Sequence, residues 1–248
     1  MKKVGKIVAA VSGKGGTGKT SFTANTAIAL AAMGHKVLCL DCDIALRNLD
    51  LALGLSDQAL MDFSDVLAGR CTLAEAAATH FRYPTLQLLT APVSARNLPL
   101  EEEKLRALRN EIRASYDFCL VDAPAGMGLG FRLATTLADE VVVVTTTDQS
   151  ALRDAQRTVM ELQRFPTGKL HMVVNRVQRK ILRSLHATID DAMDAAGLPL
   201  LGVIPEDKDL LLALNRGVPL RDCSDYAARA YANIARRLTG QRVPLMRI

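Results

Sequence analysis

The sequence predicts an α/β protein with a doubly wound, mostly parallel sheet flanked by helices. Three observations lead there. Short apolar, β-branched runs alternate with helix-period segments along all 248 residues. The runs are nearly continuous in apolar character, as strands covered on both faces must be. A glycine-rich turn joins the first run to the first helical segment. Alternation of this kind, with right-handed crossovers, gives a parallel sheet with helices on both sides.

In chain order, strands are expected at 6–11, 36–41, 85–89, 117–122, 140–145, 170–175 and 200–204. Helical periodicity covers 20–33, 101–115, 150–165 and 181–196, with a last helix at about 226–238. Thr72 and Glu75 have capping-box spacing, and Gly34 and Gly197 punctuate helix ends. No repeat, low-complexity tract or long linker interrupts the pattern. Residues 1–248 are therefore expected to form one domain with a short tail at 239–248. Hydrophobic residues make up 49% and charged residues 23%, which excludes a mostly disordered chain. No apolar stretch reaches the ~18–20 residues of a membrane span. The five cysteines are odd in number and three lie in apolar runs, so buried free thiols in a reducing compartment are expected. The net charge of +5 is too mild to announce nucleic acid.

Gly13, Lys14, Gly15, Gly16, Thr17, Gly18, Lys19 and Thr20 fit G-x-x-x-x-G-K-[ST] between the first strand and the first helix. Glycines let backbone N–H groups curl around phosphates, and the helix N-terminus adds its positive dipole end. Lys19 is expected to reach the β- and γ-phosphates, the Thr20 hydroxyl to bind Mg²⁺, and Ser21 to complete the nucleotide-binding run. Asp122 ends the apolar run Phe118-Cys119-Leu120-Val121, placed like a Walker-B aspartate that helps hold Mg²⁺. A simple turn residue is its bland alternative. Asp41 ends another strand and Asp43 follows two residues on. A pair so spaced can divide its labour between the metal shell and an attacking water.

With Lys14 as a second lysine after the first glycine, this loop resembles the deviant Walker A form. The stretch Asp41-Cys42-Asp43-Ile44-Ala45-Leu46-Arg47-Asn48-Leu49-Asp50 resembles switch I of the MinD family of P-loop ATPases. Asp122-Ala123-Pro124-Ala125-Gly126 is similar to its switch II, and Gly202-Val203-Ile204-Pro205-Glu206-Asp207 to its late strand and adenine loop. The resemblance runs from about Lys6 to Ile248. It implies an ATP- and Mg²⁺-dependent homodimer, a slow ATPase that acts as a switch in division-site placement. Its effector would be a division inhibitor or an ATPase activator. It also implies that Lys14 crosses to the partner's phosphates, that Asp43 positions the water, and that Asp41 supports Mg²⁺ through its shell. Gly126 would offer its N–H to the γ-phosphate, Asn48 would belong to the ATP-sensing switch, and Asn175, Pro205 and Asp207 would frame adenine. An amide can serve both edges of that base, though a strand-end Asn is also a common turn residue.

Two readings stay open beside this one. A flagellar-number-regulator-like ATPase would keep nearly every residue named. A ParA-like positioning ATPase would bind DNA, with a footprint of Arg176, Arg179, Lys180 and Arg183, and Arg153, Arg157, Arg164 and Lys169 upstream. An iron–sulfur reductase of the same fold is excluded, because no Cys follows Asp122 until Cys223 and there is no C-x-x-C. The family usually ends in an amphipathic membrane-targeting helix. Here Gly240 and Pro244 interrupt the segment after the last helix, so such a helix is not evident. Arg242, Leu245, Met246, Arg247 and Ile248 form either a weak basic–apolar anchor or a tail tucked against the core. The expected place is the cytoplasm, with a peripheral contact on the inner face of the membrane as its extension.

Overall fold

The computed structural model describes residues 4–56, 58–94, 98, 100–178, 180, 188–216 and 218–246. Eight strands form one sheet: β1 (Lys6–Ser12), β2 (Val37–Asp41), β3 (Ala78–Thr79), β4 (Leu86–Leu89), β5 (Phe118–Ala125), β6 (Glu140–Thr145), β7 (Leu170–Val177) and β8 (Leu200–Pro205). Their spatial order is β3-β4-β2-β5-β1-β6-β7-β8. Every pairing is parallel except β3 with β4.

The described helices are α1 (Lys19–Ala32), α2 (Leu49–Leu53), α3 (Phe63–Leu67), α4 (Leu73–Ala76), α5 (Glu102–Ser115), α6 (Leu129–Leu137), α7 (Gln149–Glu161), α8 (Ile189–Ala196), α9 (Lys208–Arg216) and α10 (Asp225–Leu238). They cover both faces. Ile7, Ala9 and Val11 of β1 point into a core shared with α3 to α8, while Val8 and Ala10 point into one shared with α1, α2, α9 and α10. This is why the strands carry apolar residues at successive positions. The Thr72–Glu75 capping box forms, and Gly197 closes α8 in the left-handed conformation. Cys39, Cys42 and Cys119 are buried free thiols, and Cys71 and Cys223 are half-buried and free.

Several boundaries differ from expectation. β5 runs on through Pro124 to Ala125, and β7 runs two residues past Asn175. The helix expected at 181–196 is not continuous. Thr188 is extended and starts α8 with its own capping box, and 181–187 lie outside the described residues. α7 stops at Glu161 instead of Phe165, ahead of Pro166. β3, α2, α3, α6 and α9 had not been expected; all but α6 and α9 have five residues or fewer, too short for a period to show.

As far as it is described, the tail is tied down at a few points, with Leu245 left exposed. The Arg237 guanidinium donates to the carbonyls of Leu201, Val243 and Pro244, and Met246 packs against the second core. Arg247 and Ile248 lie outside the described residues. No described helix is long and apolar enough to cross a membrane.

Candidate active site

β1 ends between β5 and β6, where chain order reverses, and ligands of open α/β sheets bind at such switch points. The loop from Gly13 rises there and enters α1 through Gly18, whose φ is 90°. No side chain caps α1, so the N–H groups of its first turn remain for an anion. Gly18 is required twice over. Its backbone is left-handed, and a Cβ would sit 2.2 Å from Asn175 Nδ2. That amide donates to Thr17 O at 2.7 Å, and its Oδ1 accepts the Arg176 N–H at 2.9 Å. Asn175 is thus an in-strand residue, 1% exposed, whose side chain braces the loop instead of standing free to read a base edge. Asn175 nevertheless lines the same cavity as Pro205 and Asp207, the residues expected to frame a base with it.

Beneath the loop, Lys19 is buried and its Nζ donates to Ser12 Oγ at 2.8 Å. Burial lowers its pKa, against the pull of Asp122 and Asp43. The Thr20 hydroxyl donates to Asp122 Oδ2 at 2.6 Å, and the Thr23 hydroxyl to Oδ1 at 3.3 Å. Asp122 and Asp41 are register partners on adjacent strands. Burial raises the Asp122 pKa to about 6, and burial together with the Asp122 charge raises that of Asp41 to about 8. Two buried carboxylates side by side resist ionising together until a cation joins them. A hydroxyl beside carboxylates is a hard-oxygen set suited to Mg²⁺, which commonly takes few protein ligands and completes its shell with phosphates and water. The Thr17 hydroxyl is buried without a partner, a polar group left over for a ligand. The residues therefore fit both nucleotide and metal.

Asp41 also organises the segment after β2. Its Oδ1 accepts the Asp43 N–H at 2.8 Å and its Oδ2 the Leu49 N–H at 3.4 Å. Asp43 is half-buried at the mouth and caps Leu46 N at 3.1 Å; Asn48 is exposed at the start of α2. Gly126 donates its N–H to Ser12 O at 3.1 Å, so in this conformation that donor is engaged within the sheet. Lys14 is exposed and turns away from its own loop. Its Nζ lies 2.8 Å from Ser150 Oγ and 3.4 Å from Asp148 Oδ1. Asp148 caps α7, and bonds from Ser150 and Thr146 hold its carboxyl far below the usual range.

At the other end, Asp207 accepts the Asp209 N–H at 2.9 Å and the Ser224 hydroxyl. Gly18, Ser21, Asn175, Pro205, Asp207 and Leu210 line a cavity of about 370 Å³ beside the loop. A neighbouring groove of about 440 Å³ holds Lys14, Gly15, Thr146, Asp148 and Gln178. An apolar groove of similar size between α1 and α10 contains none of these residues.

The sequence-based site residues thus converge on one crevice, except Lys14, which turns into the neighbouring groove, and Asn48, which is exposed at the start of α2. Arg176 had been grouped with a DNA-facing cluster. Instead it forms a two-pronged ion pair with Glu206 at the crevice, and Arg179 and Arg183 lie outside the described residues. Ser12, Asp148 and Ser150 went unnoticed, and Glu206 was read only as part of the loop at 202–207. Asp148 had a usable signal, an N-cap residue just before the helical period at 150; the Arg176–Glu206 pair had none, since its members are 30 residues apart.

Comparisons with known proteins place the chain in a nucleotide-binding family. Residues 8–220 match the family model described as the CobQ/CobB/MinD/ParA nucleotide binding domain. The chain is similar to a septum site-determining protein MinD of Synechocystis, 37% identical over 97% of this chain and 92% of that one. Among solved structures it resembles a MinC:MinD cell division protein complex of Aquifex aeolicus, with a TM-score of 0.89, 36% identity and 98% of each chain covered. It also resembles the MinD of Pyrococcus horikoshii complexed with Mg-ADP, with a TM-score of 0.80, 32% identity and 94% and 95% coverage.

Proposed function

The chain belongs to the MinD group of the CobQ/CobB/MinD/ParA nucleotide-binding family, and on that premise we propose that it is an ATPase switch in cell-division site placement. It dimerises with ATP, hydrolyses it to ADP and phosphate, and works as one P-loop domain over residues 1–248. The α1 N-terminus and Lys19 hold the β- and γ-phosphates; the charge of the ligand offsets the cost of burying that ammonium. Thr20 and Asp122 hold Mg²⁺, with Asp41 behind them. Held there, the metal would supply positive charge to offset the negative charge that develops on the phosphates. Asp41 keeps Asp43 at the mouth, where its carboxylate orients the attacking water and can take its proton. Gly126 reaches a γ-phosphate only by releasing Ser12 O, and that release would move the segment after β5.

The observation that carries the dimer is the direction of Lys14. Its ammonium rests on Ser150 and Asp148 and makes no bond to its own phosphate loop, and exchanging Asp148 for a second subunit's phosphates would carry its charge across. A cation that arrives only on assembly couples hydrolysis to dimerisation. The dimer then presents a surface to a division inhibitor, as the complex of the Aquifex relative suggests, or to an activator. We place it in the cytoplasm. A contact with the inner face of the membrane through the tail would require Met246 to leave its packing.

The test is turnover per subunit as a function of protein concentration. It should rise with concentration in the parent, and Lys14→Ala should lose roughly two orders of magnitude or more while still binding Mg-ATP. A rate per subunit that is flat down to high dilution would contradict the dimer.

A further inference from the structure

Arg176 has no part in those roles, yet the fold holds it in a costly conformation. Its φ is 57°, and only Arg47 shares a positive φ among described non-glycine residues. The turn is locked by Asn175, whose Oδ1 accepts the Arg176 N–H while its Nδ2 grips Thr17 O. So aimed, the guanidinium forks onto Glu206, with Nε to Oε2 at 2.9 Å and Nη2 to Oε1 at 3.2 Å, and Nη1 lies 3.4 Å from Gly16 O. Glu206 is fixed in turn by its N–H, which donates to Val177 O at 3.0 Å.

The pair stands between two spaces. Gly16, Arg176 and Glu206 line both the cavity toward Pro205 and Asp207 and the groove that holds Lys14. A nucleotide with its phosphates at Gly16 and Gly18 and its base beside Pro205 would lie along this pair. We infer that the Arg176–Glu206 ion pair is a clasp over the path between phosphate loop and base pocket, and that it sets how long ATP or ADP stays bound. The clasp rests on the ATP reading above. A fork of this kind needs the planar guanidinium, which lysine cannot reproduce. Both side chains are partly exposed, so opening the pair should alter nucleotide escape far more than folding.

The experiment is stopped-flow release of a fluorescent ADP from the parent, Arg176→Ala, Glu206→Ala, the double variant and Arg176→Lys, with inorganic tripolyphosphate as a competing ligand. Tripolyphosphate reaches the loop but has no base. Each alanine variant should release ADP about tenfold faster, the double variant no faster than either, and Arg176→Lys in between. Tripolyphosphate affinity should be unchanged, since a collapsed loop would weaken both ligands. Unaltered release in the single variants, additive acceleration in the double, or an equal loss of tripolyphosphate affinity would overturn the clasp. A parent protein that binds no adenine nucleotide would instead remove the ATP reading and the clasp with it.

Discussion

Gly18 and Asn175 are the smallest pair on which the site depends. The glycine opens α1 with φ 90° and leaves room for the Asn175 amide that supports Thr17. Gly18→Ala would place a methyl 2.2 Å from Asn175 Nδ2 and also strain the backbone. We expect Mg-ATP affinity to fall by about tenfold or more, with the melting temperature of the nucleotide-free protein also lowered. Calorimetric titration against the parent checks this; unchanged affinity would mean the loop does not need that spacing. The glycine was legible in the sequence because the motif demands it, but its neighbour was not. Asn175 reads locally as a turn or base-contacting residue, and only the register of β7 beside the loop shows which groups its amide meets. Arg176 misled for the same reason: a basic residue near other basic residues gives no hint of a carboxylate 30 positions away.

Among the elements, β2 and β5 matter most, since they deliver Asp41 and Asp122 side by side at their carboxyl ends. Their folded pKa values, about 8 and about 6, exceed the ordinary carboxylate value of roughly 3.9. In that interval the folded protein binds more protons than the unfolded chain. The stability these groups contribute is therefore full below the ordinary value and is lost as pH rises through 6 and then 8. His80 and His171, lowered chiefly by burial, act in the opposite sense below about pH 6.5, so the clean window lies above neutrality. Melting temperature of the nucleotide-free protein should fall between about pH 7 and 8.5, and both Asp41→Asn and saturating Mg-ADP should flatten that slope. A nucleotide-free curve that rises there would contradict the arrangement. Farther along the sheet, β8 needs Gly202, because a Cβ would lie 2.4 Å from Ile234 of α10. Gly202→Ala should destabilise by about 1–3 kcal/mol in denaturant unfolding, whereas a neutral result would show that α10 can shift freely. Strands such as β6 were legible because buried parallel strands are written as unbroken apolar runs. Short pieces such as α2 were not, because five residues carry less than two turns of pattern.

At the scale of the whole molecule, the crevice brings the glycine-rich loop, the paired carboxylates and the cavity beside Pro205 together, while Lys14 points out of it. Fold and phosphate site were readable from the chain because both rest on local order: strand, loop, helix, in sequence. The direction of Lys14 was not, since it depends on Asp148 and Ser150 more than 130 residues downstream. The central claim is that Lys14 serves the partner's site while Asp43 serves its own. Mixing Lys14→Ala with Asp43→Ala subunits tests it most directly. Each variant alone should be nearly inactive. In the mixed dimer, the site on the Lys14→Ala subunit keeps its own Asp43 and receives the partner's lysine, so turnover should return to up to about half that of the parent. A mixture no more active than the sum of its parents would place Lys14 in its own subunit's chemistry and contradict the account.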